Sequence, residues 1–505
     1  MTEPGPDILS DLTHTAPNRP AVSAHLIIFG ATGDLAVRKI YPALASLCHN
    51  ELLSPAMRIV AVGRKTHDTS AYLHDLRPRL EPVIPSPCLE NLLPRITYLR
   101  MDPSEPGAGA ELAALLDSMD TDQPQTRIFY FAVPPSAYAP LAMRLGEAGL
   151  GREKQGQAVR LIVEKPFGRD LTTARELDWI LHHFFSEHQI FRIDHYMAKE
   201  TVQNVLFLRF ANVFFEPLWN RHYIDHVSIT AAESLGVGRR AEFYDQTGVL
   251  RDMFQNHMMM LLALCAMEPP SFFKAELVRD ERSKVYRALR SLDIGHLQEN
   301  LVLGQYGPGA VDGQPVPGYR QESGIAPDST TPTFAWMRVF LDNWRWQGVP
   351  FYLCSGKRLA EKRTEIAIHF KNVPVSMFRH NSALHIPANR LILGMYPDEV
   401  VRLEVQTKGY DGHAITHTQA MDFEYGAQTT GRVNDYAKVL LDCIIGDQTL
   451  FWRQDAVELC WSFLTPILEH CTCPEHNVPL QLYPAGSSGP DIPFPSKAQI
   501  VAQTP

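Results

Sequence analysis

The chain has 505 residues, 45% of them hydrophobic and 10% aromatic, which is typical of a globular protein with a sizeable core. Its net charge of -9 argues against a general nucleic-acid or membrane-surface binder, so an anionic ligand would need a local basic pocket. The longest purely apolar run, Met258 to Met267, is ten residues long, too short to cross a membrane. Acids and prolines fill the N-terminal segment where a signal peptide carries basic and apolar residues, so we expect a cytoplasmic protein.

The eight cysteines are unevenly spaced, which does not indicate a disulfide framework. Four soft metal ligands gather near the C-terminus: His470, Cys471, Cys473 and His476. Structural zinc sites usually combine two separated ligand pairs, and a C-x-C spacing is tight for tetrahedral geometry. The cluster is more typical of a turn with ordinary thiols, and we predict no metal site.

The first part of the chain alternates apolar runs with helical patterns. The predicted strands are residues 25–29, 58–63, 126–133 and 158–164. Apolar strands that alternate with helices are typical of a parallel, doubly wound sheet. We predict a flexible tail over residues 1–23 and a dinucleotide-binding domain over residues 24–195.

The second part predicts a different sheet. Alternating patterns indicate strands at residues 226–233, 363–370, 390–396 and 399–407, which suit a large, mainly antiparallel sheet. Helical patterns cover residues 247–267 and 433–446, and a Gly/Pro-rich stretch at 304–332 is predicted to run over the surface. We predict an α+β domain over residues 196–485, followed by a flexible tail over 486–505.

A phosphate-binding turn is indicated by Gly30 and Gly33, which stand between a predicted buried strand and a helix. Glycines there let the backbone approach a pyrophosphate, whose charge the helix N-terminus stabilises. The pattern is G-x-x-G-D-L rather than the usual G-x-G-x-x-G. The alternative interpretation is that the two glycines serve only the geometry of the turn and bind no phosphate.

The choice of cofactor depends on the end of the second strand. NAD enzymes place an acid there, which would repel a 2′-phosphate. This strand ends in Gly63, Arg64 and Lys65, with no acid before Asp68, which favours NADP over NAD. A solvated basic turn is the alternative.

Candidate catalytic residues occur in two segments. In RIDHYMAKE, His195 and Lys199 lie four residues apart, so on a helix they would share a face and could bind one phosphate. Asp194 is free to orient another group, or else caps the helix. In the second segment, residues 244–267, His257 stands directly before the apolar run. A lone histidine at the edge of an apolar helix is more often an ordinary core or surface residue.

Together these segments make the chain resemble the bacterial type of glucose-6-phosphate dehydrogenase. The resemblance is carried by GATGDLAVRKIYPAL, EKPFGRDL, RIDHYMAKETVQNVLFLRFAN, YDQTGVLRDMFQNHMM, DNWRWQGVPFYL and SGKRLAEKRTEI, and it spans roughly residues 24–480. It implies a Rossmann-type N-terminal domain and a larger α+β domain. The implied reaction is oxidation of glucose 6-phosphate at carbon 1 to 6-phosphoglucono-1,5-lactone, with hydride transfer to NADP and NAD as a secondary cofactor.

The resemblance also implies roles for individual residues. His257 matches the family's general base and Asp194 its paired carboxylate. Matches to substrate-binding positions are Lys165, His195, Tyr196, Lys199, Glu233, Asp252, Lys357 and Lys362. Matches to the cofactor side are Gly30, Ala31, Thr32, Gly33, Asp34, Leu35, Lys39, Arg64, Pro134, Tyr138 and again Lys165. A homodimer or tetramer formed through the C-terminal sheet is implied as well.

Some positions depart from the family pattern: Val37 and Cys354 stand where Lys and Arg are common, and Lys362 where some members have Arg. Two rival interpretations remain at this point. One is a sugar oxidoreductase of the glucose–fructose oxidoreductase family, which also has E-K-P after a strand but lacks RIDHYxxKE. The other is an NADP-binding sensor without catalysis, although such a protein would be expected to lose His257 or Asp194.

Overall fold

The computed structural model describes residues 23–105, 107–120, 125–375, 386–408, 416–424, 435–472 and 478–493. The strands are β1 (Ala24–Phe29), β2 (Arg58–Gly63), β3 (Ile96–Arg100), β4 (Thr126–Phe131), β5 (Val159–Val163), β6 (Ile190–Arg192), β7 (Ile224–Ala232), β8 (Leu301–Gly307), β9 (Gly309–Val311), β10 (Gln314–Val316), β11 (Phe334–Phe340), β12 (Pro350–Gly356), β13 (Arg363–Phe370), β14 (Arg390–Tyr396), β15 (Val400–Lys408), β16 (Thr416–Glu424) and β17 (Leu480–Pro484).

The α-helices are α1 (Tyr41–His49), α2 (Thr69–Leu80), α3 (Ser86–Leu92), α4 (Ala108–Met119), α5 (Tyr138–Glu147), α6 (Leu171–Phe184), α7 (Glu200–Phe210), α8 (Ala241–Val249), α9 (Met259–Ala266), α10 (Ala275–Arg287), α11 (Asp435–Ile445) and α12 (Gln454–Thr472). Two π-helices cover Ala36–Ile40 and Leu250–Met258. Short 3₁₀ turns include Pro135–Ala137, His195–Ala198 and Gly238–Arg240.

The chain divides into two compact units, of which the first comprises residues 1–164, 179–193 and 433–448. Its six parallel strands follow the order β3-β2-β1-β4-β5-β6. The predicted doubly wound parallel sheet is therefore confirmed. All residues of β1 and β4 are buried, as expected for central strands covered on both faces. The strand order reverses between β1 and β4, which in this fold creates a ligand-binding crevice at the carboxyl ends of the strands.

The chain returns to the first unit with α11, which packs against α1. The sequence pattern of residues 433–446 predicts a helix but not its position in the first unit, because nothing in the local pattern indicates a distant partner. The predicted domain boundary after residue 195 stays a prediction.

The second unit contains a nine-stranded sheet in the order β16-β15-β14-β13-β7-β12-β11-β8-β17. Most neighbours are antiparallel, whereas β7 pairs with β12 and β8 with β17 in parallel. The predicted mainly antiparallel sheet is confirmed. One hydrophobic cluster on it contains Trp336 stacked on Tyr352, together with Phe334 and Tyr306, all of them buried.

The prediction that residues 304–332 form a surface excursion is wrong at its start. Residues 304–307 belong to β8, a mostly buried strand of the large sheet. The glycine that suggested a loop has a packing role, because a Cβ on Gly304 would lie 3.0 Å from Pro490 and 3.2 Å from the ring of Tyr483. Glycine in a strand often marks such a close approach. The segment after it forms the β9–β10 hairpin.

The predicted N-terminal tail lies outside the described residues except for Ser23, and so does the end of the C-terminal tail from residue 494. Residues 486–490, which were expected to be flexible, lie against the sheet, where Gly486 donates to the carbonyl of Arg358 and Ala360 donates to that of Ser487. Within the described part of the chain, the helices fall short of the length and apolarity that a membrane span requires.

Two buried histidines stack on each other in the second unit. The rings of His226 on β7 and His369 on β13 are 4.0 Å apart at an angle of 17°. Burial, with smaller contributions from His226 and Arg390, lowers the pKa of His369 to about 3. Burial also lowers the pKa of His226, against the opposing effect of Asp225. Both rings are therefore neutral in the folded protein at neutral pH.

This pair predicts acid sensitivity of the second unit. Between about pH 6.5 and 3 the unfolded chain binds a proton at position 369 that the folded chain does not, so the free energy of unfolding falls as the pH drops. Urea unfolding at about pH 7 and about pH 4.5 gives the free energy of unfolding at each pH. Its decrease between the two pH values should be about 1–3 kcal/mol larger for the wild type than for His369→Phe. Equal losses in the two proteins would contradict the prediction.

Candidate active site

The two residues expected to form a catalytic pair lie in contact. Nδ1 of His257 is 2.6 Å from Oδ1 of Asp194, and both side chains are almost fully buried. The same oxygen accepts the backbone N–H of Tyr196 at 3.0 Å, so Asp194 also caps the 3₁₀ turn His195–Ala198. Asp194 therefore contacts His257 and also caps the turn, and both hydrogen bonds hold the same carboxylate oxygen. Its role in orienting the base stays a prediction.

The other ring nitrogen of His257 faces a lysine. Nζ of Lys165 lies 2.9 Å from Nε2, and a lysine ammonium can only donate. Nε2 is then the acceptor, so the proton of the neutral ring lies on Nδ1, where it is donated to Asp194. Burial lowers the pKa of His257 below 6.5, although Asp194 opposes this and Lys165 adds to it. At neutral pH the ring is therefore a neutral imidazole, and the lone pair of Nε2 accepts a hydrogen bond from Lys165.

Local helix geometry places His257. The single helix predicted over residues 247–267 is interrupted at Gly248, which has φ +64°, and residues Leu250–Met258 form a π-helix before α9. π-Helical segments are rare and frequently occur at functional sites. Within this segment Asp252 and His257 both contact Lys165, whose Nζ lies 3.1 Å from the carbonyl and 3.4 Å from the carboxylate of Asp252. In a regular α-helix, Asp252 would instead share a face with Asn256, four residues further on.

Further predicted substrate residues surround this centre. The Tyr196 ring stacks on His257 at 4.0 Å, and its hydroxyl shares a hydrogen bond with Thr364. Lys357, which follows β12, forms an ion pair with Glu233, which follows β7. Because β7 and β12 are parallel neighbours, the residues that follow them emerge at the same edge of the sheet.

The charge of Asp252 is held by surrounding cations. Burial opposes its ionisation, but the charges of Lys165, Lys357 and Arg240 outweigh burial and lower its pKa. Arg240 lies 3.8 Å from the carboxylate and was not predicted from the sequence, and neither was Thr364. The alternating charges could hold a neutral, hydroxyl-rich ligand with donors and acceptors together.

The remaining predicted substrate residues are Lys362, His195 and Lys199. Nζ of Lys362 lies 3.9 Å from the ring centre of Tyr396, which is opposite Thr364 in the sheet. Nζ of Lys199 lies 4.7 Å from the ring centre of Tyr196, whereas the side chain of His195 lies outside what the structure describes, so phosphate binding by these two residues stays a prediction. Of the C-terminal ligand cluster, Cys473 and His476 also lie outside the described residues.

The first unit contains a separate cavity of about 530 Å³ at the carboxyl ends of its central strands. Five of the predicted cofactor residues line it: Gly30, Thr32, Gly33, Arg64 and Pro134. Arg64 follows β2 directly, and Asp102 and Ser104, which the sequence did not indicate, line the same cavity.

The other predicted cofactor residues of this unit do not line the cavity: Ala31, Asp34, Leu35, Lys39 and Tyr138. Ala31 is buried, and its carbonyl accepts the hydroxyl of Tyr72. Asp34 pairs with Arg38, and Tyr138 donates to the carbonyl of Glu164. These contacts support the shape of the turn and of the neighbouring segment.

The cavity fits a dinucleotide phosphate. Gly30 has φ +81°, and a Cβ there would lie 2.3 Å from the carbonyl oxygen of Ala132, so this position of the turn requires glycine. Arg79, a residue that the sequence did not single out, donates to the carbonyl of Thr32 and brings a second cation to the turn. With Arg64 at the strand end, the cavity is suited to an anionic cofactor such as NADP.

Comparison with known proteins extends these observations. Residues 27–204 match the family "Glucose-6-phosphate dehydrogenase, NAD binding domain", and residues 206–494 match its C-terminal domain. A glucose-6-phosphate 1-dehydrogenase of Aggregatibacter actinomycetemcomitans is 43% identical over 470 residues, covering 92% of this chain and 94% of the relative. One of Bacillus subtilis is 40% identical over 475 residues, covering 92% and 95%.

Two solved structures are similar to this chain over nearly its whole length. A glucose-6-phosphate dehydrogenase in complex with its substrate glucose-6-phosphate superposes with a TM-score of 0.85 at 32% identity, covering 94% of this chain and 97% of the other. The glucose-6-phosphate 1-dehydrogenase of Mycobacterium avium gives a TM-score of 0.79 at 34% identity, with 93% and 96% covered. With both domain families matched over nearly its whole length, this chain belongs to the glucose-6-phosphate dehydrogenase family.

Proposed function

We propose that the chain oxidises glucose 6-phosphate at carbon 1 to the 1,5-lactone, with His257 as general base and Asp194 as the group that orients it. The observation that carries this proposal is the buried Asp194–His257 hydrogen bond, with Nε2 left as an acceptor. Family membership supports the reaction and NADP as the cofactor. It also argues against the rival glucose–fructose oxidoreductase interpretation.

The base acts on the hydroxyl of carbon 1. Nε2 accepts the hydroxyl proton as the carbon–oxygen double bond forms, and the ring becomes an imidazolium. Asp194, bonded to Nδ1–H, stabilises that charge and keeps the ring in the required tautomer. NADP, when bound, supplies the acceptor for the hydride that leaves carbon 1. Lys165 lies against Nε2, so we infer that the sugar hydroxyl takes over this contact when substrate binds.

The surrounding charges bind and orient the sugar. Carboxylates of Asp252 and Glu233 can accept hydrogen bonds from sugar hydroxyls, and the Lys357 ammonium can donate them. Because these groups already neutralise one another in pairs, a polar but uncharged ring can replace part of each contact without leaving a buried charge unpaired. By resemblance, His195, Tyr196 and Lys199 bind the remote phosphate, whose binding energy orients carbon 1.

The role of His257 predicts a specific kinetic defect. His257→Asn should lower kcat by about 10²–10⁴-fold and change KM for glucose 6-phosphate little, because it removes a group that acts in proton transfer. In the wild type, kcat/KM should fall only below about pH 6.5, since burial holds the pKa of the ring below that value and the base is lost when it is protonated. Near-normal turnover in a folded His257→Asn protein would refute the assignment, whereas an inactive wild type would favour the non-catalytic alternative.

The NADP preference is predicted to depend on Arg64. Arg64→Ala should lower the ratio of kcat/KM for NADP to that for NAD by about tenfold or more, because a charge-assisted contact to the 2′-phosphate is lost. Lys65→Ala is the matched control, since the neighbouring cation does not line the cavity and should change the ratio much less. An unchanged ratio in Arg64→Ala would show that the 2′-phosphate is recognised elsewhere.

We further propose a cytoplasmic homo-oligomer that associates through the C-terminal sheet. The edge strand β16 supports this proposal, because Met421 and Phe423 on it are 55% and 62% exposed and apolar residues exposed on an edge strand favour association. Light scattering should give the mass of a dimer or tetramer, and Phe423→Lys should shift it toward the monomer. A monomeric wild type at micromolar concentration would contradict the proposal.

A further inference from the structure

We propose that Tyr244 is a positioning residue of the substrate pocket, whose ring holds the ammonium group of Lys357 in place. The inference rests on the proposed function, because Lys357 is assigned to the pocket there. Tyr244 was not predicted as a site residue from the sequence. It lies on α8, is 2% exposed and belongs to the hydrophobic cluster of the large sheet.

The contact between the two side chains is a cation–π interaction. Nζ of Lys357 lies 5.0 Å from the centre of the Tyr244 ring. Such an interaction is attractive within about 6 Å and strengthens when water is excluded. The Lys357 side chain is only 12% exposed, so the ring replaces part of the hydration that burial removes from the ammonium.

A positioning role follows from the competing contacts of Lys357. Its ammonium pairs with Glu233 and is attracted by the buried Asp252. A lysine has a flexible four-carbon stem and a point charge. With the two carboxylates alone, the ammonium group could therefore move from one carboxylate to the other. The rigid ring adds a third, non-ionic contact that fixes the ammonium while leaving its donors available to a sugar hydroxyl.

The hydroxyl of Tyr244 is not needed for this role. Among the described residues it has no hydrogen-bond partner, although it is buried. Burial, together with the nearby carboxylates of Asp252 and Glu233, raises the pKa of the phenol far above its ordinary value, so it remains neutral. The structure therefore assigns the effect to the aromatic face.

Kinetics with glucose 6-phosphate test the proposal. Tyr244→Leu should raise KM by about 2- to 30-fold with kcat changed less than about twofold, because a substrate-binding cation is displaced while the base is untouched. Tyr244→Phe should resemble the wild type. Phe334→Leu is the matched control, since it removes a ring from the same cluster and should lower the thermal unfolding temperature without raising KM.

Two further measurements separate positioning from packing. In a Lys357→Met background, Tyr244→Leu should raise KM no further. Pentafluorophenylalanine at position 244 keeps the shape of phenylalanine but reverses the charge distribution of the ring, so it should raise KM relative to Tyr244→Phe even if Tyr244→Leu fails to fold.

Three results would overturn the inference: an equal rise in KM for Tyr244→Leu and Phe334→Leu, an undiminished effect without Lys357, or identical KM values for the phenylalanine and pentafluorophenylalanine proteins. Each leaves the proposed function intact as long as the wild type oxidises glucose 6-phosphate. An inactive wild type would instead refute the proposed function itself.

Discussion

The buried hydrogen bond between Asp194 and His257 is the contact on which the proposed chemistry depends. A histidine in a dry interior favours its neutral form, and a carboxylate beside Nδ1 decides which nitrogen keeps the proton. The backbone N–H of Tyr196 and the stacked Tyr196 ring fix the two partners in turn. A base with a defined tautomer thus results from packing, with no need for an unusual side chain.

Around that pair, the second unit places charges of opposite sign next to one another, so that each is compensated within the protein. Lys165 lies between His257 and Asp252, and Lys357 pairs with Glu233 over the ring of Tyr244. Buried charges are costly unless they are paired, which explains why cations and carboxylates alternate here. In the first unit, a turn that requires glycine at position 30 and the cation of Arg64 line one cavity, a combination that suits an anionic ligand.

Sequence patterns predicted the regular parts of the fold well. Strands β2, β13 and β14 occupy the predicted residues, because a buried strand bounded by turn residues is a local signal. Predictions were poorer where a distant partner decides the conformation. Gly304 lies in a strand because Tyr483 and Pro490 pack on it, and α11 joins the first unit from a position far along the chain.

The sequence by itself determined the fold class and indicated a candidate phosphate turn, since both depend on residue types at short spacings. Its resemblance to a family indicated the candidate base and carboxylate. Tertiary structure alone decided that Asp194 serves both as a cap and as a partner of His257, and that Arg240, Thr364 and Tyr244 contact candidate substrate residues. The physical reason is distance: hydrogen bonds, ion pairs and ring contacts act over a few ångströms, and the spacing of residues along the chain does not specify which groups folding brings within that range.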